Sequence, residues 1–179
     1  MGELDEAAAI RYATSTDASA LSDLAARTFR ATYLEGNEPH LVNAYVADHF
    51  SAAIQLAELQ DDRLTYLVAD IDGHLGGFAM LRTDQSHPGV AGTHPIRLAR
   101  IYVDAPYLGR GLGSAIMERC IEECRSRGHD LLWLGVWERN TKAIGFYERW
   151  GFGRVGTEIF DVGGDQQQDA ILALSIGPE

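Results

Sequence analysis

Gly109-Arg110-Gly111-Leu112-Gly113 is the stretch of this chain whose residue types and spacing point most directly to chemistry. The apolar run Leu98-Ala99-Arg100-Ile101-Tyr102-Val103 precedes it, and a helix-periodic segment from Ser114 to Arg127 follows. Strand, glycine-rich turn and helix, in that order, form a cradle for phosphate. Glycines let the backbone approach an anion closely, and the first N–H groups of the helix have no intrahelical partner. Two commoner phosphate loops are excluded. A Walker loop ends in Gly-Lys-Ser/Thr, a string this chain lacks. The dinucleotide pattern G-x-G-x-x-G fails because its third glycine position falls on Ser114 or Ile116. Taken alone, the stretch also fits an ordinary tight turn.

A second element stands about 30 residues later. Leu131-Leu132-Trp133-Leu134-Gly135-Val136 is a short, nearly continuous apolar run and predicts a buried strand. It leads to Asn140-Thr141-Lys142-Ala143-Ile144-Gly145-Phe146-Tyr147 and then Trp150-Gly151-Phe152. Asn140 is a good helix N-cap and Gly151 a good helix stop. At about 100° per residue, Asn140, Ala143 and Tyr147 share roughly one 60° stripe. One helix face then carries an amide, a small gap and a phenol. A capped amphipathic helix with a core tyrosine is the structural alternative, and the glycine turn upstream weighs against it.

Together these residues resemble the acetyl-CoA half of the GNAT acetyltransferases. Leu108 to Gly113 fits the pattern [Gln/Arg]-x-x-Gly-x-Gly except at Leu108, where those enzymes usually carry Gln or Arg. Arg100-Ile101-Tyr102-Val103, Trp133-Leu134-Gly135-Val136-Trp137-Glu138-Arg139-Asn140, and Gly156 to Phe160 with Asp169 before a last apolar strand resemble the PaiA-type polyamine N-acetyltransferases. The resemblance spans about residues 10 to 176. It implies a single α/β (α+β) domain over residues 1–179, with a mixed, mostly antiparallel twisted sheet of about seven strands flanked by helices. Its central strands would splay to hold acetyl-CoA. The implied cofactor-binding residues are Ile101, Tyr102, Val103, Leu108, Gly109, Arg110, Gly111, Leu112, Gly113, Ser114, Asn140, Ala143 and Tyr147, with no metal.

The implied reaction moves an acetyl group to a primary amine of a small molecule, a polyamine being one candidate. Alternatives are a protein or peptide amino group, or a non-catalytic acyl-CoA-binding module. An alkyl ammonium with a pKa near ~10.4 must first lose a proton. At pH 7 that costs about 4–5 kcal/mol unless a base or a desolvated site assists. By the resemblance, the Val103 N–H donates to the carbonyl oxygen and Tyr147 protonates the departing thiolate. Asn140 orients the pantetheine arm or a water. PaiA-type enzymes carry acidic residues on the central strand where this chain has Arg97 and Ala99. Glu138 is therefore the first candidate base, with Asp70, Asp104 and Asp161 behind it. Each also reads as a solvated strand-end acid. Tyr102 is expected either to line the acceptor pocket or to pack in the core.

The elements that must position these groups are legible in outline as β-α-α-β-β-β-α-β-α-β-β. Ile10 to Thr14 predicts a strand, and Asp17 caps a helix carrying Ala20, Leu21, Leu24, Ala25 and Phe29. His40 to Leu59 predicts one or two helices. Thr65–Asp70 and Gly76–Thr83 form a hairpin across Asp72-Gly73, Gln85 to Pro95 a loop, and Val155–Phe160 with Ala170–Ile176 a last antiparallel pair. With 179 residues and 46% hydrophobic content, the chain can bury a core without metal or disulfide support. Cys120 and Cys124, four apart on one helix face, read as small core residues. The six His have no metal-ligand spacing. A net charge of −11 argues against nucleic acid and suits cationic small molecules. No apolar run approaches ~18 residues, which argues against a membrane span. Glu3 to Ala9 lacks a signal peptide's basic flank, so a cytoplasmic location is expected. The expected partner is a small-molecule amine, with a homodimer admitted as an assembly.

Overall fold

Two turns with left-handed backbones decide where the strands double back. Asp72 (φ 51°) and Gly73 (φ 83°) close one hairpin, and Gly163 (φ 61°) and Gly164 (φ 101°) close another. Paired positive φ values match the twist of antiparallel strands. The computed structural model describes residues 8–177. Most of the Glu3–Ala9 segment, including Glu3 itself, lies outside that range.

Along the chain the elements are β1 (Ala9–Tyr12), α1 (Ala18–Tyr33), α2 (Pro39–His49), α3 (Ala52–Leu59), β2 (Leu64–Ile71), β3 (His74–Arg82) and β4 (Pro95–Val103). They continue as α4 (Leu112–Ser126), β5 (Leu131–Trp137), α5 (Thr141–Arg149), β6 (Gly153–Val162) and β7 (Asp165–Ser175). The stretch after α1 holds two helices, because Ser51 breaks the run and caps α3, its hydroxyl accepting from the Ile54 N–H at 3.2 Å. No helix among the described residues is long and apolar enough to cross a membrane.

Among the described residues the seven strands join one sheet in the order β1-β2-β3-β4-β5-β7-β6. Every pairing is antiparallel except β4 with β5. That parallel pair is short: Pro95, Ile96 and Arg97 face Leu131, Leu132 and Trp133, and pairing stops there. Beyond Arg97 and Trp133 the two strands diverge, so the expected splay is present.

Apolar side chains cover both sheet faces. Ile96, Leu98, Leu132, Leu134 and Val136 pack with Leu112, Ile116, Met117 and Cys120 of α4. On the other face Phe29 of α1 and Val42 and Val46 of α2 pack over Phe78, Met80 and Trp137. Both cysteines are buried and unpaired, and burial raises both thiols. They are core residues.

Two local expectations need correction. Asp17 stands at the N-cap of α1, but its side chain makes no cap bond there. The carboxylate turns back to Arg11, at 2.9 Å, and to the Thr14 N–H, at 2.7 Å. A guanidinium within reach outcompetes a neutral N–H for a charged acceptor. The last hairpin is also longer than the sequence predicts, because Val162 is the single apolar side chain between Asp161 and Asp169. Much of β6 is exposed, so its ladder forms without apolar alternation.

Candidate active site

The turn after β4 is built on backbone conformations that only glycine adopts readily. Gly109 (φ 73°) and Gly111 (φ 86°) are both left-handed, and Gly111 is the N-cap of α4. The first bond of α4 runs from the Ala115 N–H to the Gly111 carbonyl at 3.0 Å. The Leu112, Gly113 and Ser114 N–H groups therefore precede the helical ladder. A Cβ at Gly109 or Gly111 would meet nothing within 4 Å, so the space above the turn is open. Leu112 is fully buried and roots the helix, while Leu108 and Arg110 are exposed. Gly113 faces Val103 and Phe146, tying the turn to the ends of β4 and α5. The geometry is that of an anion cradle.

Next to it lies the gap between β4 and β5. The Asp104 N–H bonds to the Gly76 carbonyl at 2.9 Å, toward β3. Backbone groups alternate sides along a strand, so the Val103 and Ile101 N–H groups point the opposite way, into the gap. Ile101 and Val103 pack their side chains toward α4, and Tyr102 turns to the other face, near Phe78. Asn140 caps α5, its Oδ1 accepting from the Ala143 N–H at 3.1 Å. Tyr147 is 8% exposed and packs edge-on against Phe146 and Phe152. Burial, with a smaller contribution from Cys120, pushes its phenol up, so it stays protonated well past neutral pH.

On the sheet face covered by α1 and α2, charged groups from three strands meet over a glycine. A Cβ at Gly135 would lie 2.7 Å from Glu158 Oε1 and 3.2 Å from both Arg97 Nη2 and Asp169 Oδ2. Arg97 pairs with Glu158, donates to Gln85 Oε1 at 2.9 Å and lies 4.7 Å from the Trp133 ring centre. Arg100 is held by Glu58 at 2.9 Å and Tyr66 at 2.6 Å. Asp169 differs. Among the described residues its buried Oδ1 has no hydrogen-bond partner. Burial raises its carboxyl to about 7, Glu158 and Glu138 adding to the shift and Arg97 opposing it. Tyr33 stacks on Trp137 at 5.6 Å, and Tyr45 meets Phe160 at 5.5 Å, so aromatic rings line this side.

The raised carboxyl predicts a pH-dependent stability. An unfolded Asp titrates near ~3.9, so between about pH 4 and 7 the native state binds more protons than the unfolded chain. Stability from this group is greatest at low pH and is lost as pH rises through 7. Asp169→Asn should therefore melt higher than the native protein at pH 8, with the advantage shrinking toward pH 5. A melting difference that is the same at both pH values would mean that Asp169 titrates normally.

The first candidate base, Glu138, follows β5 directly, and its carboxylate pairs with Arg154 at the surface. The other three candidates have structural partners. Asp70 accepts from Arg11, Asp104 from Arg27, and Asp161 from the Gly164 N–H that closes the last turn. Sequence reasoning placed Gly135, Glu158 and Asp169 in stretches that resemble the PaiA-type enzymes but assigned them no catalytic role. A lone carboxylate opening the apolar run from Ala170 was the available signal.

A glycine-turn cradle beside a splayed parallel pair, with the Val103 and Ile101 N–H groups directed into the gap, is the arrangement that the acetyltransferase resemblance implies. The acetyltransferase (GNAT) family model matches residues 19–152, and the chain belongs to that family. An uncharacterized N-acetyltransferase of Mycobacterium tuberculosis is 31% identical over 162 residues, covering 90% of this chain and 99% of the relative. The fold matches the PaiA N-acetyltransferase of Thermoplasma acidophilum, solved with coenzyme A, with a TM-score of 0.77 and 20% identity, over 94% of this chain and 99% of that one. It also matches the ribosomal-protein-S18-alanine N-acetyltransferase of Escherichia coli, with a TM-score of 0.70 and 23% identity, over 97% and 96%.

Proposed function

We propose that this protein acetylates the primary amine of a small molecule, with acetyl-CoA as donor and polyamines as the first acceptors to test. The observation that supports the small-molecule reading is the tight seating of the β6–β7 turn against α2. The β6–β7 turn packs so tightly on α2 that a Cβ at Gly163 would overlap the Leu41 carbonyl. Tyr33, Tyr45 and Phe160 belong to the apolar cluster on the same side. A protein or peptide amino group needs a wider channel. A module that only binds acyl-CoA needs no proton donor such as Tyr147.

The residues present fit acetyl-CoA. The turn leaves N–H groups and open space for a pyrophosphate, and the gap offers the Val103 N–H to a carbonyl oxygen. Bound acetyl-CoA supplies a carbonyl activated by its thioester. The Leu112, Gly113 and Ser114 N–H groups hold phosphate oxygens, and the amide nitrogen of Asn140 stays available to the pantetheine arm. Tyr147 delivers its hydroxyl proton to the departing sulfur. A phenol near pKa ~10 has little driving force toward a thiolate whose acid is near ~8.5, so positioning matters more than acidity.

A thiol-release assay over a panel of amines tests this reading. Turnover with a small alkyl amine and none with peptide N-termini is the expected pattern. A CoA-dependent thermal shift with no turnover of any amine would favour the binding module. Glu138 belongs to the same test. Its side chain is 36% exposed and paired with Arg154, and surface pairs contribute about 0–1 kcal/mol. Glu138→Gln should therefore raise KM for spermidine by no more than about fivefold, with less effect on a monoamine. A hundredfold rise would put Glu138 inside the acceptor site.

A further inference from the structure

We propose that the Asp169 carboxylate is the base that takes the proton from the acceptor ammonium, reaching the acceptor face over the bare backbone of Gly135. The inference rests on the acetyltransferase reading above. Asp169 belongs to β7, one strand beyond the β4–β5 gap, and pairs in register with Trp137 of β5. An ordinary side chain at position 135 would block its path. Because that position is glycine, Glu158 Oε1 approaches the empty Cβ site to 2.7 Å and Asp169 Oδ2 and Arg97 Nη2 to 3.2 Å, two residues beyond Trp133, the last position of β5 that pairs with β4.

Asp169 is 5% exposed, and among the described residues its Oδ1 lacks a donor. A buried acceptor without a partner is costly in a purely structural acid, whereas a bound ammonium supplies the missing donor. Arg97 makes no hydrogen bond to Asp169: Gln85 and Glu158 hold its Nη1 and Nη2, and its buried Nε, like Asp169 Oδ1, has no partner among the described residues. Burial raises the phenols of Tyr33 on α1, Tyr45 on α2 and Tyr102 on β4, and the Asp169 charge adds to each. The carboxylate thus faces the aromatic side of the site. The charged groups around it are Glu158 of β6, Glu138 after β5 and Arg97 of β4. Its carboxyl, at about 7, suits a base working at neutral pH.

The protons balance. The ammonium N–H bond breaks, its proton goes to Asp169 Oδ1, and the electron pair stays on nitrogen. That pair forms the new bond to the carbonyl carbon as the carbon–sulfur bond breaks. Sulfur takes the Tyr147 proton, and the second proton lost by nitrogen restores the phenol. Asp169 releases its proton to solvent.

Asp169→Asn keeps the shape and removes the base. With the best alkyl amine of the panel, kcat/KM should fall at least about 100-fold at pH 7. The ascending limb of the pH profile near 7 should disappear, while the thermal shift given by CoA stays unchanged. An arylamine, neutral at pH 7, should lose much less. Without any acceptor present, the Asp169 carboxyl carbon should titrate at about 7 by NMR, and Glu158→Gln should lower that midpoint. A variant within threefold of the native rate with its pH limb intact overturns the proposal, as does a carboxyl titrating near ~4. If the native protein acetylates no amine at all, the acetyltransferase reading fails and the base fails with it. If the native protein turns over and the variant does too, only the base fails.

Discussion

Tyr147→Phe is expected to lower kcat about 100-fold while leaving CoA affinity nearly unchanged, within the ~10²–10⁴ range for loss of a general acid. The ring packs between Phe146 and Phe152, and phenylalanine keeps those contacts. The substitution therefore removes a proton donor and little else. Burial holds the native phenol protonated, so no loss of rate from its ionisation is expected below about pH 10. Single-turnover kinetics should accompany the steady state, because slow product release would mask a change in the chemical step. An unchanged single-turnover rate would remove Tyr147 from the mechanism.

Gly111→Asp should abolish most of the thermal stabilisation given by CoA. A ligand present at 100 times its Kd stabilises the fold by about 2.7 kcal/mol, a shift easily read by melting. Aspartate would place a negative charge where the turn offers N–H groups to an anion, and would strain a left-handed residue by about 1–2 kcal/mol. The fold should survive, because a Cβ there meets nothing within 4 Å and a carboxylate suits a helix N-terminus. Gly111→Asn imposes similar strain without the charge and separates the two effects. It should keep part of the CoA shift. If the aspartate variant melts with the full native shift, the phosphate is held elsewhere.

The parts of the site legible in the sequence are those fixed by neighbours along the chain. The left-handed residues of the glycine turn, the Asn140 cap and the Asp72-Gly73 hairpin follow from backbone sterics and short-range hydrogen bonds. The stripe joining Asn140, Ala143 and Tyr147 follows from helical geometry. The direction of the Val103 N–H needed one more fact, its register against β3, which the sequence does not state. Asp17 shows the limit of local reasoning even at a helix end. It occupies the predicted cap position, yet Arg11 takes its carboxylate.

The chemistry of the carboxylates belonged to the tertiary structure. Glu138, in the string that resembles the PaiA-type enzymes, ends at the surface with Arg154, whereas Asp169, which the same resemblance includes without a role, is buried. Sequence alone determined a turn of left-handed glycines before one helix and a phenol on the next helix, while the splay of the strands came with the family resemblance. Only the folded sheet brought Arg97, Glu158 and Asp169 together over Gly135, from strands as many as 72 residues apart. Whether a carboxylate is an ordinary surface acid or a base near neutrality depends on its burial and on which charges face it. Those are set by strand order and register, which no local pattern encodes.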